Sequence, residues 1–225
     1  MIEIKLYGTI MDNDSADIMR WWGWMDVCCP ADITAKLAEA KPDEEVTLYI
    51  NSRGGMLVAG YDMYCELRMY KGKKTAHVMS TAMSAATIPM MACEKRISEP
   101  ISLLCIHNPR SSLWSEESET FKKKAEELDN VKISTLNAYE SVLKISREEI
   151  SALMDKDIII DTGKAMEYGL IDEIAATDNV LVASVGDYMF PSQKMREVYA
   201  ARKDADENNR KTLELEKLRF EILKK

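Results

Sequence analysis

The chain has 225 residues, of which 46% are hydrophobic and 30% are charged, a balance typical of a folded globular protein. Its formal net charge of -8 provides no positive field for nucleic acid or for anionic lipid, so we expect neither as a partner. The five cysteines are odd in number and include the adjacent pair Cys28 and Cys29, which argues against a disulfide framework and a thiolate zinc site, and we expect no metal or cofactor.

The first half of the chain predicts strands that alternate with helices. Residues 2–10 have the period of two that is typical of a strand, without the apolar core of a signal peptide. Because no stretch reaches the roughly 18 to 20 apolar residues of a membrane span, we expect a cytoplasmic protein. A helix rich in tryptophan follows, and a second helix opens at Pro30. The next elements are a strand over 46–50, a helix over 56–69, a strand over 73–80, a short helix over 85–92 and an apolar strand over 102–106. This alternation predicts an α/β fold with a parallel sheet and right-handed crossovers.

The second half of the chain is more charged. Residues 115–143 predict a long helix that is too polar to lie in a core, and a shorter helix begins near Ser146. Asp157 precedes residues 158–160, which predict a buried apolar strand, and a further helix ends at Gly169. The compact domain is expected to cover residues 1–190. Charged helix formers over 191–225 predict a helical C-terminal extension, and a solvated tail is an equally good interpretation.

Ser84 is the candidate nucleophile. It lies among small residues where a strand gives way to an apolar helix, which would place its hydroxyl at a helix N-terminus and let a substrate backbone approach closely. Taken alone, a small-residue helix that packs against a sheet is the more common explanation of this pattern.

A serine nucleophile needs a base, a group that orients the base, and donors for the oxyanion. The chain has two histidines: His77 lies inside a predicted strand, whereas His107 follows the end of a buried one, where open α/β folds place their sites. His107 is therefore preferred as the base. Asp157 is the candidate orienting acid, and the Gly54-Gly55 pair could turn an amide toward an oxyanion, although an ordinary tight turn would have the same sequence.

Four separated motifs occur in one order along the chain. They are YINSRGG at 49–55, AMSAA at 82–86, CIHNP at 105–109, and Asp157 ahead of AMEYGLID at 165–172. In this order and spacing, residues 1 to about 175 resemble the Clp protease proteolytic subunit family.

The resemblance implies a crotonase-like fold of repeated β-β-α units with a protruding handle helix, here residues 115–143. It implies that Ser84 is the nucleophile, His107 the general base and Asp157 its orienting partner. The amides of Gly55 and Ala85 would form the oxyanion hole, and Gly54 would contact the substrate. Family members form rings, heptameric or stacked, that enclose a chamber in which protein and peptide substrates are cleaved.

Two departures from the family pattern bear on substrate choice. Arg53 replaces the usual proline of the Asn-Ser-Pro-Gly-Gly turn, and the chain begins at the first core strand, without the axial loops that contact an unfoldase. With the C-terminal extension, this favours a phage or prophage head maturation protease that cleaves scaffold and capsid proteins in the host cytoplasm. The alternative is an ATP-dependent proteolytic subunit that degrades chains delivered by an AAA+ unfoldase. An acyl-coenzyme A enzyme of crotonase type and an inactive assembly protein are further interpretations.

Overall fold

The computed structural model describes residues 1–114 and 117–176, together with residue 211. The predicted extension over 191–225 therefore lies outside the described residues, except for Lys211. The described strands are β1 (Ile2–Ile10), β2 (Val27–Cys28), β3 (Val46–Gly55), β4 (Lys74–Met83), β5 (Lys95–Ser98), β6 (Leu103–Cys105) and β7 (Glu173–Ile174). The described helices are α1 (Asn13–Trp21), α2 (Pro30–Glu39), α3 (Leu57–Met69), α4 (Thr87–Met90), α5 (Ser118–Glu140), α6 (Arg147–Lys156) and α7 (Thr162–Tyr168), with a 3₁₀ turn over Ser84–Ala86 before α4.

The strands form one parallel sheet, as the alternation of strands and helices predicts. Its order is β2-β1-β3-β4-β5-β7, and β6 also pairs with β4. One edge of β4 is shared: its first half pairs with β5 and its last three residues pair with β6, from Thr81 opposite Leu103 to Met83 opposite Cys105. The carboxyl end of β4 is thus flanked by β3 on one side and β6 on the other.

The core lies on both faces of the central strands. In β3 the run from Val46 to Leu48 is buried without interruption, the pattern of a parallel strand that is covered on both sides. Helix α3 contributes Met63 and Leu67 to this core, both fully buried. Val78 of β4 is also fully buried, so the strand that leads to Ser84 is anchored in the interior.

The prediction of a strand over 158–160 is wrong. Only Ile160 takes part in sheet-like bonding, as a single antiparallel bridge to Leu104, and Ile158 and Ile159 are 41% and 58% exposed. Three consecutive isoleucines satisfy the hydrophobic pattern of a buried strand, but the segment pairs with β6 at Ile160 alone. The sequence pattern also misses β5, because its buried Arg96 is held by an ion pair with Asp172 at 2.7 Å rather than by apolar contacts.

Helix α5 corresponds to the predicted handle. Most of its length is exposed or half-buried, and its buried residues, Thr135, Leu136 and Tyr139, all lie near its carboxyl end. The helix therefore packs on the domain by its last two turns, which explains how so polar a helix belongs to the fold. None of the helices within the described residues is long and apolar enough to cross a membrane.

Candidate active site

Ser84 lies at the strand-to-helix turn that the sequence predicts. It is the first residue of the 3₁₀ turn after β4, and its φ of 55° is in the left-handed region, which is uncommon for a residue other than glycine. Thr87 stabilises this conformation, because both its backbone N–H and its Oγ1 donate to the carbonyl oxygen of Ser84. A strained, well-held serine at such a turn is the backbone arrangement of a nucleophile elbow.

The Gly54-Gly55 segment lies directly against Ser84. A Cβ atom on Gly54 would lie 2.7 Å from the Cβ of Ser84 and 2.7 Å from the carbonyl oxygen of Met83, so only glycine fits without a shift. Ser52 holds the segment in place: its Oγ accepts from the N–H of Gly54 at 3.0 Å and donates to the carbonyl of Gly8 at 2.5 Å. The close approach of Gly54 to Ser84 is therefore held by hydrogen bonds of β3, unlike the backbone of an ordinary surface turn.

Gly55 is the last residue of β3 and carries one of the two predicted oxyanion donors. The next amide, that of Met56, donates to Ile10 of β1 at 2.9 Å. Ala85, which supplies the other predicted oxyanion donor, is buried and directly follows Ser84.

His107 follows β6 by two residues. Because Met83 pairs with Cys105, Ser84 and His107 leave the ends of two adjacent strands, which lie about 4.8 Å apart in a sheet. The Nδ1–H of His107 donates to the carbonyl of Asn108 at 2.6 Å, so Nε2 is the nitrogen of the neutral ring that can accept a proton. His77, by contrast, bonds to Glu99 at 2.8 Å within the sheet, which fits a structural role.

Asp157 reaches the same region from α6. It ends that helix in a left-handed conformation, with φ 49°. Leu104 and Ile160 exchange backbone hydrogen bonds of 3.0 and 2.8 Å, which hold the segment after Asp157 against β6. An Oδ1 contact of 4.0 Å to the Sγ of Cys105 agrees with that placement.

Residues 29–178 match the family model of Clp protease. This match covers most of the chain and includes every candidate site residue. The chain belongs to the Clp protease family. It is 32% identical over 149 residues to the ATP-dependent Clp protease proteolytic subunit 1 of Streptomyces coelicolor, which covers 64% of this chain and 68% of the relative. It is also 26% identical over 140 residues to the ATP-dependent Clp protease proteolytic subunit of Deinococcus radiodurans, which covers 61% of this chain and 68% of the relative.

In this Clp protease family member the three candidate catalytic side chains are not joined by hydrogen bonds. Among the described residues, no hydrogen bond links the side chains of Ser84, His107 and Asp157 to one another. His107 is bonded to Asn108, and the carboxylate of Asp157 is bonded to the guanidinium of Arg110. Catalytic hydrogen bonds often form only when substrate is bound, and the triad stays a prediction.

The loop that carries His107 is tied to two helices through Asp155. Its carboxylate accepts from the amide of Asn108 at 2.7 Å and from Lys132 of α5 at 2.8 Å, and these two donors lower the pKa of Asp155. Burial raises the pKa of the Cys105 thiol, and the nearby carboxylate of Asp157 raises it further. Cys105 is therefore a neutral thiol beside the site.

Sequence reasoning found the residues that carry the family motifs and missed their supports. Arg110 and the Thr87 side chain have no recognisable signal, because their contacts depend on residues far apart or on the local turn geometry. Ser52 lies within the YINSRGG motif, so a signal for it was present, but its role depends on the carbonyl of Gly8 in a different strand.

Proposed function

We propose that the chain is a serine endopeptidase in which Ser84 is the nucleophile, His107 the general base and Asp157 the group that orients the base. The observation that carries the proposal is that β4 pairs with β6 and that β6 is in turn bridged to Ile160. Each of the three residues follows or precedes one of these paired segments. Membership of the Clp protease family supports the same assignment.

In the proposed mechanism the Oγ of Ser84 attacks the peptide carbonyl carbon, and its proton passes to Nε2 of His107. The N–H groups of Gly55 and Ala85 stabilise the oxyanion of the tetrahedral intermediate. The intermediate collapses, the peptide C–N bond breaks, and the leaving amine takes the proton from His107. Water, activated in turn by His107, then hydrolyses the acyl-enzyme and regenerates Ser84.

For this cycle Asp157 must accept the Nδ1–H of His107, which would stabilise the imidazolium and keep the ring in the required tautomer. The bond of His107 to the Asn108 carbonyl already selects that tautomer. Two hydrogen bonds must then break: that of His107 to the Asn108 carbonyl, and that of Asp157 to the Arg110 guanidinium. Binding of a peptide substrate at Ser84 is the expected trigger.

The test is a Ser84→Ala variant with Ser80→Ala as the matched control, since Ser80 is an exposed serine of the same strand. Labelling with a fluorophosphonate probe and cleavage of a peptide library are measured for both. We expect Ser84→Ala to lose labelling and to lose turnover by roughly three or more orders of magnitude, and Ser80→Ala to behave as wild type. Cleavage by Ser84→Ala at the wild-type rate would refute the assignment.

We propose further that the chain assembles into rings through surfaces that include the exposed part of α5, and that its natural substrates are the scaffold and capsid proteins of a phage or prophage head. The charged, helix-forming residues 191–225 lie beyond the family match and support this specialised role. The names of the two relatives support the alternative, the degradation of chains delivered by an AAA+ unfoldase. Stimulation of folded-substrate degradation by a purified unfoldase and ATP would favour that alternative, and cleavage of a capsid precursor without ATP would favour head maturation.

A further inference from the structure

A buried chain of hydroxyl groups connects helix α5 to the backbone of Ser84. Thr87 is fully buried and Tyr139 is 1% exposed. The Oγ1 of Thr87 lies 2.7 Å from the carbonyl oxygen of Ser84 and 2.6 Å from the hydroxyl of Tyr139. Tyr139 belongs to the part of α5 that packs on the domain, and the two hydroxyls lie in the interior beneath the 3₁₀ turn.

The direction of these bonds follows from counting protons. A carbonyl oxygen can only accept, so the single hydroxyl proton of Thr87 goes to Ser84. Tyr139 must therefore donate its own proton to the Oγ1 of Thr87. Burial raises the pKa of Tyr139 well above its ordinary value, so the donor keeps its proton at neutral pH.

This chain of hydroxyl groups acts on a residue with an uncommon backbone conformation. Ser84 has a φ of 55°, a conformation that is unfavourable for a residue with a side chain and persists only where the surroundings hold it. The direction of the Cα–Cβ bond, and with it the position of Oγ, is set by that backbone. A bond that fixes the Ser84 carbonyl therefore fixes the nucleophile.

We infer that Thr87 and Tyr139 are positioning residues for the nucleophile, and that through them the packed end of α5 holds Ser84 in its reactive geometry. The inference rests on the proposed function of Ser84. It also gives the handle helix a role within a single chain, since a displacement of the end of α5 would loosen the carbonyl of Ser84.

The experiment compares Thr87→Val, Thr87→Ser and Tyr139→Phe in the full chain. Valine keeps the shape of threonine and removes both side-chain hydrogen bonds of residue 87, whereas serine keeps both. Phenylalanine at 139 removes only the bond that Tyr139 donates to Thr87. Tyr61→Phe is the matched control, because the hydroxyl of Tyr61 also bonds to α5, at Thr135 at 2.7 Å and at the carbonyl of Val131, without contacting the Ser84 turn. The rate constant for fluorophosphonate labelling at Ser84, kcat and KM for a peptide, and the melting temperature are measured.

We expect Thr87→Val to lower the labelling rate constant and kcat by about tenfold or more, with KM within about twofold of wild type, as the loss of a buried hydrogen bond to the reacting residue requires. Tyr139→Phe should lower both rates by a smaller factor, roughly threefold to tenfold. Thr87→Ser should restore them, and Tyr61→Phe should leave them unchanged even where it lowers the melting temperature.

Several results would overturn the inference. One is a folded Thr87→Val chain that is labelled at the wild-type rate, and another is a Tyr61→Phe control that slows labelling as much as Tyr139→Phe. If Thr87→Val does not fold, wild-type labelling of Tyr139→Phe overturns the inference by itself. A wild-type chain that is never labelled at Ser84 refutes the proposed function together with the inference, whereas a labelled wild type with unaffected variants refutes the inference alone.

Discussion

Replacement of Gly54 by alanine tests whether the glycine turn shapes the nucleophile. The added Cβ would lie 2.7 Å from the Met83 carbonyl oxygen, 2.7 Å from the Cβ of Ser84 and 3.0 Å from the amide nitrogen of Ala85, all shorter than the 3.4 to 4 Å of ordinary contact. Each of these atoms belongs to the end of β4 or to the turn that follows it. Relief of the contact must therefore move Ser84 or the strand that presents it.

The size of the effect has two parts that a control separates. Gly54 has a φ of +97°, and alanine in that region loses about 1 to 2 kcal/mol of stability. Gly23 has a similar φ of +89° with nothing within 4 Å of its Cβ position, so Gly23→Ala carries the backbone penalty alone. Overpacking should add about 1 to 3 kcal/mol for Gly54→Ala, and a displacement of Ser84 approaching 1 Å should slow labelling by roughly a hundredfold.

Urea unfolding gives the free energy of unfolding of both variants, and fluorophosphonate labelling gives the reactivity of Ser84. We expect Gly54→Ala to be the less stable variant and to react much more slowly, and Gly23→Ala to react as wild type. Equal stabilities together with wild-type labelling of Gly54→Ala would refute the steric argument. A reactive but unstable Gly54→Ala would show that the turn supports the fold and not the nucleophile.

Three further predictions concern charged groups. Arg110→Gln should raise kcat, because Asp157 is bonded to that guanidinium; a lower kcat would mean that Arg110 assists catalysis. Lys74→Met should lower the free energy of unfolding by about 2 kcal/mol in a urea titration, because the buried ammonium donates to two backbone carbonyls. Lys95, whose ion pair is exposed, is the control, and Lys95→Met should lower the free energy of unfolding by at most about 0.5 kcal/mol. Equal losses for the two variants would contradict the argument. Hydrogen bonds from the first turn of α1 lower the pKa of Asp12, so the stabilisation by its carboxylate is present above the unfolded-state pKa of about 4 and is lost as the pH falls. Asp12→Asn caps the helix without titrating, so it should flatten the decline of melting temperature between about pH 6 and 3. An unchanged slope would contradict this.

The local features of the chain are determined largely by the sequence. The period of two in β1 and the apolar start of β3 follow from alternating and continuous burial, and the glycine pair at 54–55 is required wherever backbone must approach another backbone this closely. The start of α6 is similar, since Ser146 and Glu149 form a capping box within four residues of chain. Each of these depends on residues that are close in sequence, and the motifs around Ser84 and His107 belong to the same class.

Contacts between distant residues were decided by the tertiary structure alone. Ile158 and Ile159 have the composition of a buried strand and are exposed, because burial depends on which neighbours the fold provides. The bonds from Arg110 to Asp157 and from Tyr139 to Thr87 each join residues about fifty positions apart, and no periodicity records them. The sequence by itself therefore predicted which residues would perform the chemistry. Only the folded chain decided which groups hold them, since hydrogen-bond partners are selected by distance in space and not by distance along the chain.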